Sequence, residues 1–369
     1  MRTEHIETVI IGAGQAGLAT AYHLQRAGRP FVILDSEGRV GDGWRNQWDT
    51  FRLFTPAWAD SLPGLPNRAP RWSYPTKDEF ADYLERYAAT FDLPVRLCTR
   101  VERLERSADG YAVTAGGTRI EADNVVVATG AFGRTPRVPA FADRLDPSVR
   151  QLHSSDYRRA SQLADGPVLV VGASHSGCDI AYDAAASHPT ILCGPDAGEI
   201  PVPLSSPLAK LVFTGIMFSS LHLQKRSNPL GRRAVSEYRH HGTLPRLRVR
   251  SSDLAERGVD RVPGRVTGVR DGRPVIDGQR VVDVSTVVWC TGFRQDFRWV
   301  DLPVVGEDGW PVEDRGEVAA APGLFFCGLC FQSTAASMTI HGAGRDAAHV
   351  AGLIAKRRGT VRRPAEQPA

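Results

Sequence analysis

Three glycines near the start of the chain have the spacing of a phosphate-binding turn. Gly12, Gly14 and Gly17 follow a short β-branched run and precede an apolar, helix-forming segment. The first glycine permits a tight turn, the second lets the backbone approach a pyrophosphate, and the third allows the helix to pack closely on the strand. Asp35 ends the next predicted strand, where a carboxylate suits the hydroxyl pair of a ribose. This turn is therefore predicted to bind a dinucleotide, with the helix N-terminus facing its phosphates.

A second turn of this kind lies at residues 172–177, with the sequence GASHSG. Ser174 stands where the middle glycine is expected, and a serine fits there if its backbone angles are ordinary. Gly194 stands where the first unit has its acid, so no carboxylate repels a 2′-phosphate. This favours the phosphorylated nicotinamide cofactor, although Asp196 nearby opposes a phosphate. An arginine from the stretch 225–250 is the candidate that would hold the phosphate, and NADH stays an alternative.

The two turns need strands and helices to position them, and the apolar patterning supplies both. Each turn follows a short β-branched run and precedes a helical one, and another strand comes next. A helix is also predicted to begin near Met338. The predicted strands are residues 8–11, 30–35, 124–130, 167–171, 190–193, 286–292 and 323–327. The fold class is therefore predicted as α/β, with two Rossmann-like dinucleotide-binding domains, one nested inside the other.

Length and composition exclude several classes of protein. The 369 residues suffice for roughly two domains, and 42% hydrophobic residues exclude a disordered chain. A net charge of +4 is too balanced to indicate a nucleic-acid binder. We expect a cytoplasmic protein, because the sequence has neither a secretory signal pattern nor about 20 consecutive apolar residues. The six cysteines are expected to be buried thiols in a reducing compartment, and no spacing indicates a metal site.

Several segments together resemble a known family. They are, in order, GAGQAGL, GDGWRNQWDTFRLFTP, YPTKDEFADYLERYA, VVVATGAFGRTPRVP, LHSSDYR, LVVGASHSGCDIA and VVWCTGF. In order and spacing they resemble the flavin-containing monooxygenase superfamily, above all its short bacterial members and the plant auxin-synthesis flavin monooxygenases. The resemblance implies FAD at the first turn and NADPH at the second. It also implies a discontinuous FAD domain into which the NAD(P)H domain is inserted.

The resemblance further implies domain limits and a reaction. Residues 1–160 and 295–369 are predicted to form the FAD-binding domain, and residues 161–294 the NADP(H)-binding domain with an insertion at 201–250. In this family NADPH reduces the flavin, which binds oxygen as a peroxyflavin and inserts one oxygen atom into a substrate. We therefore expect a monooxygenase, and the apolar residues of 201–224 with Trp58, Trp72 and Phe54 suggest a small, apolar or aromatic substrate. Its expected partners are this small molecule and oxygen, without nucleic acid, and the chain is expected to be a monomer or homodimer.

Two other functions stay open at this stage. One is a NAD(P)H-dependent flavoprotein reductase or dehydrogenase that inserts no oxygen. It is favoured because Pro56 follows Thr55 at the place where relatives often carry an Asn beside the flavin. The other is a non-catalytic, flavin-binding partner of a membrane complex. That function would explain the insertion, which is first apolar and then basic.

The resemblance transfers residue by residue to cofactor contacts. Predicted FAD contacts are Gly12, Gly14, Gly17, Asp35, Trp44 and Arg45, and predicted NADPH contacts are Gly172, Ser174, Ser176 and Gly177. Further predicted cofactor-binding residues are Gln15, Ala16, Ser36, Gly43, Val101, Ala128, Thr129, Gly130, His175, Cys290, Thr291, Gly292 and Gly328. His175 stands where most members have Asn, and it is either a contact of the nicotinamide phosphates or a surface residue without a role.

The catalytic residue is unknown, and no acid/base pair is evident, as expected where a cofactor carries the chemistry. Three candidates are Asp49, Thr55 and His341. Asp49 is either a carboxylate near the flavin or a turn residue, and His341 either faces the flavin or caps a helix. Cys327 and Cys330 form a C-x-x-C, which is either a redox pair or two buried thiols.

The insertion at 201–250 has two halves of different character. The first contains LAKLVFTGIMFSSLHL, and the second, residues 225–250, has eight Lys or Arg against one acid, Glu237. One interpretation is a helix packed on the core, followed by a solvated basic face. The others are an active-site lid and a membrane-surface contact through residues 208–250.

Overall fold

The computed structural model describes residues 2–131, 133, 135–200, 202–204, 206–241 and 246–357, without the side chains of residues 2 and 237–241. Its helices are α1 Gln15–Arg26, α2 Asp42–Arg45, α3 Lys77–Thr90, α4 His175–Ala184, α5 Pro207–Phe218, α6 Pro229–His241, α7 Ser251–Glu256 and α8 Ile340–Lys356. Its strands are β1 Arg2–Ile11, β2 Phe31–Leu34, β3 Val95–Arg96, β4 Val101–Arg106, β5 Tyr111–Ala115, β6 Thr118–Val127, β7 Thr135–Pro136, β8 Arg150–His153, β9 Val168–Val171, β10 Thr190–Cys193, β11 Asp260–Val262, β12 Val266–Arg270, β13 Arg273–Ile276, β14 Arg280–Val281, β15 Thr286–Trp289, β16 Phe293–Arg294, β17 Val300–Asp301 and β18 Leu324–Phe326. The helices and strands alternate around both glycine-rich turns, as the sequence predicts.

The first sheet is built on parallel strands that hold the first turn. β1 pairs with β2 on one side and β6 on the other, and β3 and β18 extend the sheet beyond them. Along its first half, β6 also pairs with β5 in antiparallel orientation, on the edge opposite β1. β5 in turn pairs with β4. The central strands are buried on both faces, one of them covered by α1, α3 and α8. Burial on both faces explains why these strands read as continuous apolar runs.

The second sheet has the order β11, β10, β9, β15 and β8, and all its pairs are parallel. It holds the second turn after β9, so the molecule has two dinucleotide-binding units and the predicted α/β fold class is confirmed. β8 pairs with β15 although residues 150–153 lie within the range 1–160 that was predicted for the first domain. Residues 358–369 of the last predicted range lie outside the described residues. The domain limits themselves stay a prediction.

Two short strands join the sheets. The chain leaves the first unit through β7 and returns through β16, and these two segments pair with each other in antiparallel orientation. The second unit is therefore set between two parts of the first, as the nested arrangement predicts. No helix within the described ranges is long and apolar enough to cross a membrane.

The insertion folds as α5, a π turn at Ser219–Leu223, and α6. It packs on the first unit as well as on the rest of the second unit. The Gln224 carbonyl accepts a hydrogen bond from the Ala335 N–H, and the Ser333 carbonyl accepts one from the Arg226 N–H. The Arg226 guanidinium pairs with the buried Glu313 carboxylate. This segment of the second unit is thus anchored on the chain that leads into α8.

Candidate functional site

The first glycine-rich turn has the close backbone contacts that its spacing predicts. Gly12 has a φ of 109°, and a Cβ on it would lie 2.5 Å from the Ala128 carbonyl oxygen. A Cβ on Gly17 would overlap the Gly12 carbonyl. Gly14 is the N-cap of α1, where no side-chain hydrogen bond caps the helix, and the space beside its Cα is open. An uncapped helix N-terminus beside open space fits a pyrophosphate.

Asp35 closes this turn from the end of β2. Its Oδ2 accepts a hydrogen bond from the Ala13 N–H at 2.5 Å, and its Oδ1 accepts one from the Glu37 N–H at 2.8 Å. The Asp35 carbonyl accepts a third from the Thr99 N–H, two residues before Val101 begins β4. A carboxylate has about four acceptor sites, so the two bonds to Oδ1 and Oδ2 leave acceptor capacity for ribose hydroxyls. Ser36, the next residue in the chain, is exposed.

Two further predicted segments lie beside the first turn. The Ala128 N–H donates to the Ile11 carbonyl, which places the end of β6 next to Gly12. Gly130 follows with a φ of 106° and open space around its Cα. Gly328 packs on the start of α1, because a Cβ on it would lie 2.6 Å from the Ala16 Cβ. The described residues that the structure gathers around the turn are Gly12, Gly14, Gln15, Ala16, Gly17, Asp35, Ala128, Thr129, Gly130 and Gly328.

The residues of α2 have other partners. The Trp44 ring packs edge-on against Phe80 at 5.0 Å between centroids, and Gly43 beside it is exposed. The Arg45 guanidinium pairs with Asp42 and Asp82 and donates to the Val40 carbonyl. These contacts hold α2 on α3, so the structure does not bring a free Arg45 cation to the turn. Contacts of these three residues with FAD stay a prediction.

The second turn repeats the geometry of the first. Gly172 has a φ of 110°, and a Cβ on it would overlap the Cys290 carbonyl. A Cβ on Gly177 would overlap the Gly172 carbonyl. Ser174 is the N-cap of α4 with φ −87° and ψ −166°, so a serine replaces the middle glycine without strain. The prediction that this departure is compatible with the turn is confirmed.

The end of β15 approaches this second turn, as the end of β6 approaches the first. The Cys290 N–H donates to the Val171 carbonyl, and the Thr291 hydroxyl donates to the Arg137 carbonyl. Gly292 follows with a φ of 78° and open space around its Cα. The predicted residues that the structure gathers here are Gly172, Ser174, His175, Ser176, Gly177, Cys290, Thr291 and Gly292.

His175 is not a surface residue, so that alternative is wrong. Its ring lies 5.3 Å from the Phe54 ring of the first unit, and its Nε2 is buried without a hydrogen-bond partner among the described residues. Burial, together with the nearby Arg246 cation, lowers its pKa to about 4. The imidazole is therefore neutral at pH 7, and it lies where the second unit contacts Phe54 of the first.

Gly194, which stands where the first unit has Asp35, is closely packed. A Cβ on Gly194 would lie 2.8 Å from the Ala173 N–H nitrogen, the atom that corresponds to the partner of Asp35 in the first turn. Arg246, from the basic stretch, reaches this loop and bonds Asp196 at 3.0 Å and Glu199 at 3.4 Å. An arginine therefore reaches the predicted place, but two carboxylates already neutralise it.

The basic stretch is not simply a solvated face, and that part of the prediction is wrong. Arg246 is buried, and Arg248 pairs with the buried Asp179 at 2.7 Å. Burial raises the pKa of Asp179 to about 6, whereas Arg248 opposes that shift. Arg226 pairs with Glu313 on the first unit. These three arginines therefore hold the insertion in place, whereas Lys225 and Arg232 of the same stretch are exposed.

The three catalytic candidates differ in position. Asp49 lies in an exposed turn and pairs with Arg159 at 3.0 Å. His341 is half-buried near Trp58, and burial lowers its pKa. It is not the helix cap, because the Thr339 hydroxyl accepts the capping bond of α8 from the Gly342 N–H. Thr55 is buried.

Thr55 leads to a residue that the sequence reasoning missed. Its hydroxyl donates to Oδ1 of Asp60 at 2.5 Å, and Asp60 is completely buried. Oδ2 of Asp60 has no hydrogen-bond partner among the described residues. Burial raises the pKa of Asp60 to about 8, although the bond from Thr55 lowers it. In the sequence, Asp60 looks like one more polar loop residue, and only the fold shows that it is buried.

Aromatic side chains surround Trp58 between the first unit and α5. Its ring makes edge-on contacts with Trp72 at 6.0 Å, Phe213 at 6.5 Å and His341 at 6.3 Å. Phe213 belongs to the buried side of α5, so the insertion covers this aromatic cluster. The Nε1 of Trp58 is buried and has no acceptor among the described residues. The cluster is apolar and contains one buried hydrogen-bond donor that the described residues leave unpaired.

The cysteines are all free. Cys327 and Cys330 are both buried, and burial raises the pKa of Cys327 to about 12, which makes it a poor nucleophile. These positions favour the interpretation as buried thiols over a redox pair. Cys98 is exposed, so the expectation of burial is wrong for that residue. No group of three or more potential metal ligands occurs among the described residues.

Two dinucleotide-binding units, one set between two parts of the other, define a NAD(P)H-dependent flavoprotein oxidoreductase. Residues 9–192 match the family model described as pyridine nucleotide-disulphide oxidoreductase. An uncharacterized CzcO-like oxidoreductase of Geobacillus kaustophilus is 35% identical, and the match covers 94% of this chain and 97% of that protein. A probable indole-3-pyruvate monooxygenase of Arabidopsis thaliana, YUCCA3, is 28% identical over 95% of this chain and 86% of its own.

Among solved structures, a flavin-containing monooxygenase from Stenotrophomonas maltophilia superposes with a TM-score of 0.74. It is 25% identical, and the match covers 95% of this chain and 98% of that one. The chain belongs to the flavin monooxygenase superfamily. The family prediction and the expectation of a flavin-dependent enzyme are therefore confirmed.

Proposed function

We propose that this protein is an FAD-dependent, NADPH-using monooxygenase that forms a peroxyflavin and oxygenates a small apolar or aromatic substrate. The observation that carries the proposal is the presence of two complete dinucleotide turns in one chain, on a fold shared almost end to end with a flavin-containing monooxygenase. When bound, FAD supplies the redox chemistry, and the protein supplies binding, orientation and exclusion of water.

The residues of the first turn fit FAD. The open space at Gly14 lies at an uncapped helix N-terminus, where N–H groups and the helix dipole favour a pyrophosphate. Asp35 retains acceptor sites for the adenosine ribose. Gly328 packs on the start of α1, where a side chain would intrude, and Gly130 leaves open space beside the turn. We propose the predicted FAD contacts on this basis.

The residues of the second turn fit a nicotinamide dinucleotide. Ser174 caps α4 only through its backbone, so its hydroxyl is available to a phosphate. Gly194 presents no carboxylate to a 2′-phosphate, and this supports NADPH. Arg246 is the proposed cation for that phosphate, and it would exchange its bonds to Asp196 and Glu199 for the ligand. NADH stays the alternative because both carboxylates are present.

We propose the aromatic cluster around Trp58 as the substrate side of the site. α5 covers this cluster, and its buried side chains exclude water from it. Replacing Phe213 by alanine removes the contact with Trp58, so we expect more of the NADPH consumed to appear as hydrogen peroxide. Leu211→Ala changes the exposed side of the same helix and is the matched control. Equal peroxide yields from both variants would contradict the role of α5 as a cover.

A reductase or dehydrogenase that inserts no oxygen is the second candidate. Two residues favour it. The Thr55 hydroxyl already donates to Asp60, and Pro56 has no backbone N–H that could donate to the flavin or the substrate. We also propose the cytoplasm as the location, because a reducing compartment suits cysteines that are all unpaired.

Anaerobic reduction followed by mixing with oxygen distinguishes these functions. We expect NADPH to reduce the bound flavin, and a long-lived oxygenated flavin spectrum to appear before the oxidised flavin returns. Immediate return to oxidised flavin with stoichiometric peroxide, also in the presence of aromatic test substrates, would favour the reductase. Failure of both NADPH and NADH to reduce the flavin would favour the non-catalytic flavin-binding protein.

A further inference from the structure

The outer side of α5 carries large apolar side chains that face solvent. Leu208 is 53% exposed, Leu211 is 73% exposed and Phe218 is 57% exposed. Their spacing of three and seven residues places them along one side of the helix. The buried side chains of α5, on its opposite side, are Ala209, Phe213 and Met217. The helix is therefore apolar on both sides, and only one of them is covered.

Two more exposed leucines follow α5 in the chain. Leu223 is 51% exposed and Leu230 is 57% exposed. Half of the strongly exposed large hydrophobic residues in the described part of the chain thus fall between residues 208 and 230. Single exposed leucines are ordinary, but a concentration of them in one segment indicates an interaction site.

The same segment is basic. From the start of α5 to the end of α6, residues 207–241 contain six Lys or Arg and one acid, Glu237. Lys225 and Arg232 are exposed, whereas the Lys210 ammonium lies 5.8 Å from the centre of the Trp72 ring, on the covered side of α5. We name the insertion surface as Lys225 and Arg232 together with Leu208, Leu211, Phe218, Leu223 and Leu230. It combines apolar side chains with positive charge.

We propose that the insertion surface docks on the surface of an anionic lipid bilayer, with the apolar side chains entering the headgroup region and the basic ones facing lipid phosphates. This combination is the one that binds interfacial helices to membranes. α5 is too short to span a bilayer, so it lies on the membrane rather than crossing it. A second copy of the chain fits less well, because the same basic surface on both partners would repel itself.

Contacts with the rest of the fold already order the segment that carries the insertion surface. Arg226 is paired with the buried Glu313, and the Leu221 carbonyl accepts a hydrogen bond from Arg345 of α8. Phe213 and Met217 fix the inner side of α5. Because these contacts already order the segment, docking requires little further loss of conformational entropy.

Co-sedimentation of the FAD-loaded full chain with vesicles tests the proposal. We expect binding to vesicles of phosphatidylcholine mixed with phosphatidylglycerol, and little binding to phosphatidylcholine alone. Raising the salt concentration should reduce the bound fraction, because salt screens the charges. Absent binding to the mixed vesicles, or equal binding to both compositions, would overturn the proposal.

Variants assign the binding to this surface. The double variant Leu211→Ser with Phe218→Ser should lower the partition coefficient by at least about tenfold, because it removes two apolar anchors. Lys225→Gln and Arg232→Gln should each lower it roughly fivefold. Val312→Ser and Arg68→Gln are matched controls at exposed positions elsewhere in the chain. Flavin content and reduction by NADPH should be unchanged in all of them, which separates this test from that of the proposed function.

Two results would overturn the assignment to this surface. One is an equal loss of binding in the Val312→Ser control and in the double variant. The other is a dimer in sedimentation velocity that Leu211→Ser dissociates, because the surface would then be covered by a second copy of the chain.

Discussion

Replacing Asp60 by asparagine tests whether this buried carboxyl is held neutral by the fold. Its pKa rises from 3.8 to about 8 on folding, chiefly because burial disfavours the charged form. The folded state therefore binds the proton more tightly than the unfolded state. Stability is full below about pH 4, falls as the pH rises from there to about 8, and is constant above that. Asparagine keeps the acceptor for Thr55 and has no charge to lose.

The size of the effect follows from the shift. Each pKa unit corresponds to about 1.4 kcal/mol, so at pH 7 the wild-type chain has lost about 4 kcal/mol relative to pH 4. Unfolding entropy is about 2.1 cal/mol/K per residue, so this loss corresponds to roughly 5 °C in Tm for a chain of this length. We expect the Tm of Asp60→Asn minus that of the wild type to increase by this amount from pH 4 to pH 7.

Thermal unfolding at a series of pH values provides the measurement, with the exposed Asp165→Asn as the control. The readout is the slope with pH, because the amide nitrogen that Asp60→Asn introduces adds only a constant difference in Tm. A Tm difference that does not vary between pH 4 and pH 7 would refute the reasoning. It would mean that Asp60 is ionised at neutral pH or that its burial is relieved by solvent.

Three further predictions rest on contacts within the two turns and the C-x-x-C segment. Gly17→Ala should purify without flavin, because its Cβ overlaps the Gly12 carbonyl, whereas Gly352→Ala, in open space on α8, should keep its flavin absorbance. Gly177→Ala should keep FAD but lose anaerobic reduction by NADPH, because the overlap with the Gly172 carbonyl disturbs only the second turn; loss of flavin as well would contradict this separation. The double variant Cys327→Ser with Cys330→Ser should retain NADPH oxidation within about twofold, and its loss would restore the redox interpretation.

Both dinucleotide turns could be predicted from the sequence because their constraints are local. A tight turn, a positive φ and a close approach of helix to strand each require glycine at a fixed position. Gly12, Gly17, Gly172 and Gly177 meet these requirements in the structure as predicted. The adjoining strands were predictable too, because strands buried on both faces are continuous apolar runs.

Other features depend on residues that are far apart in the chain. Glu313 and Arg226 are separated by 87 positions, and nothing in either local segment indicates their pairing. β8, with the sequence RQLH, has no apolar run, and its place in the second sheet depends on β15. The burial of Asp60 likewise depends on elements beyond its own loop. Local patterns do not contain this information, since it arises only when the two units and the insertion pack together.

The pairing of β7 with β16 has a mechanical consequence. Both connections between the units run side by side. A rotation of one unit about this pair of strands would therefore stretch neither connection. The insertion adds a further link between the same two units, the ion pair of Arg226 with Glu313. A rotation of one unit against the other would therefore have to break an ion pair at a buried carboxylate, outside either nucleotide turn.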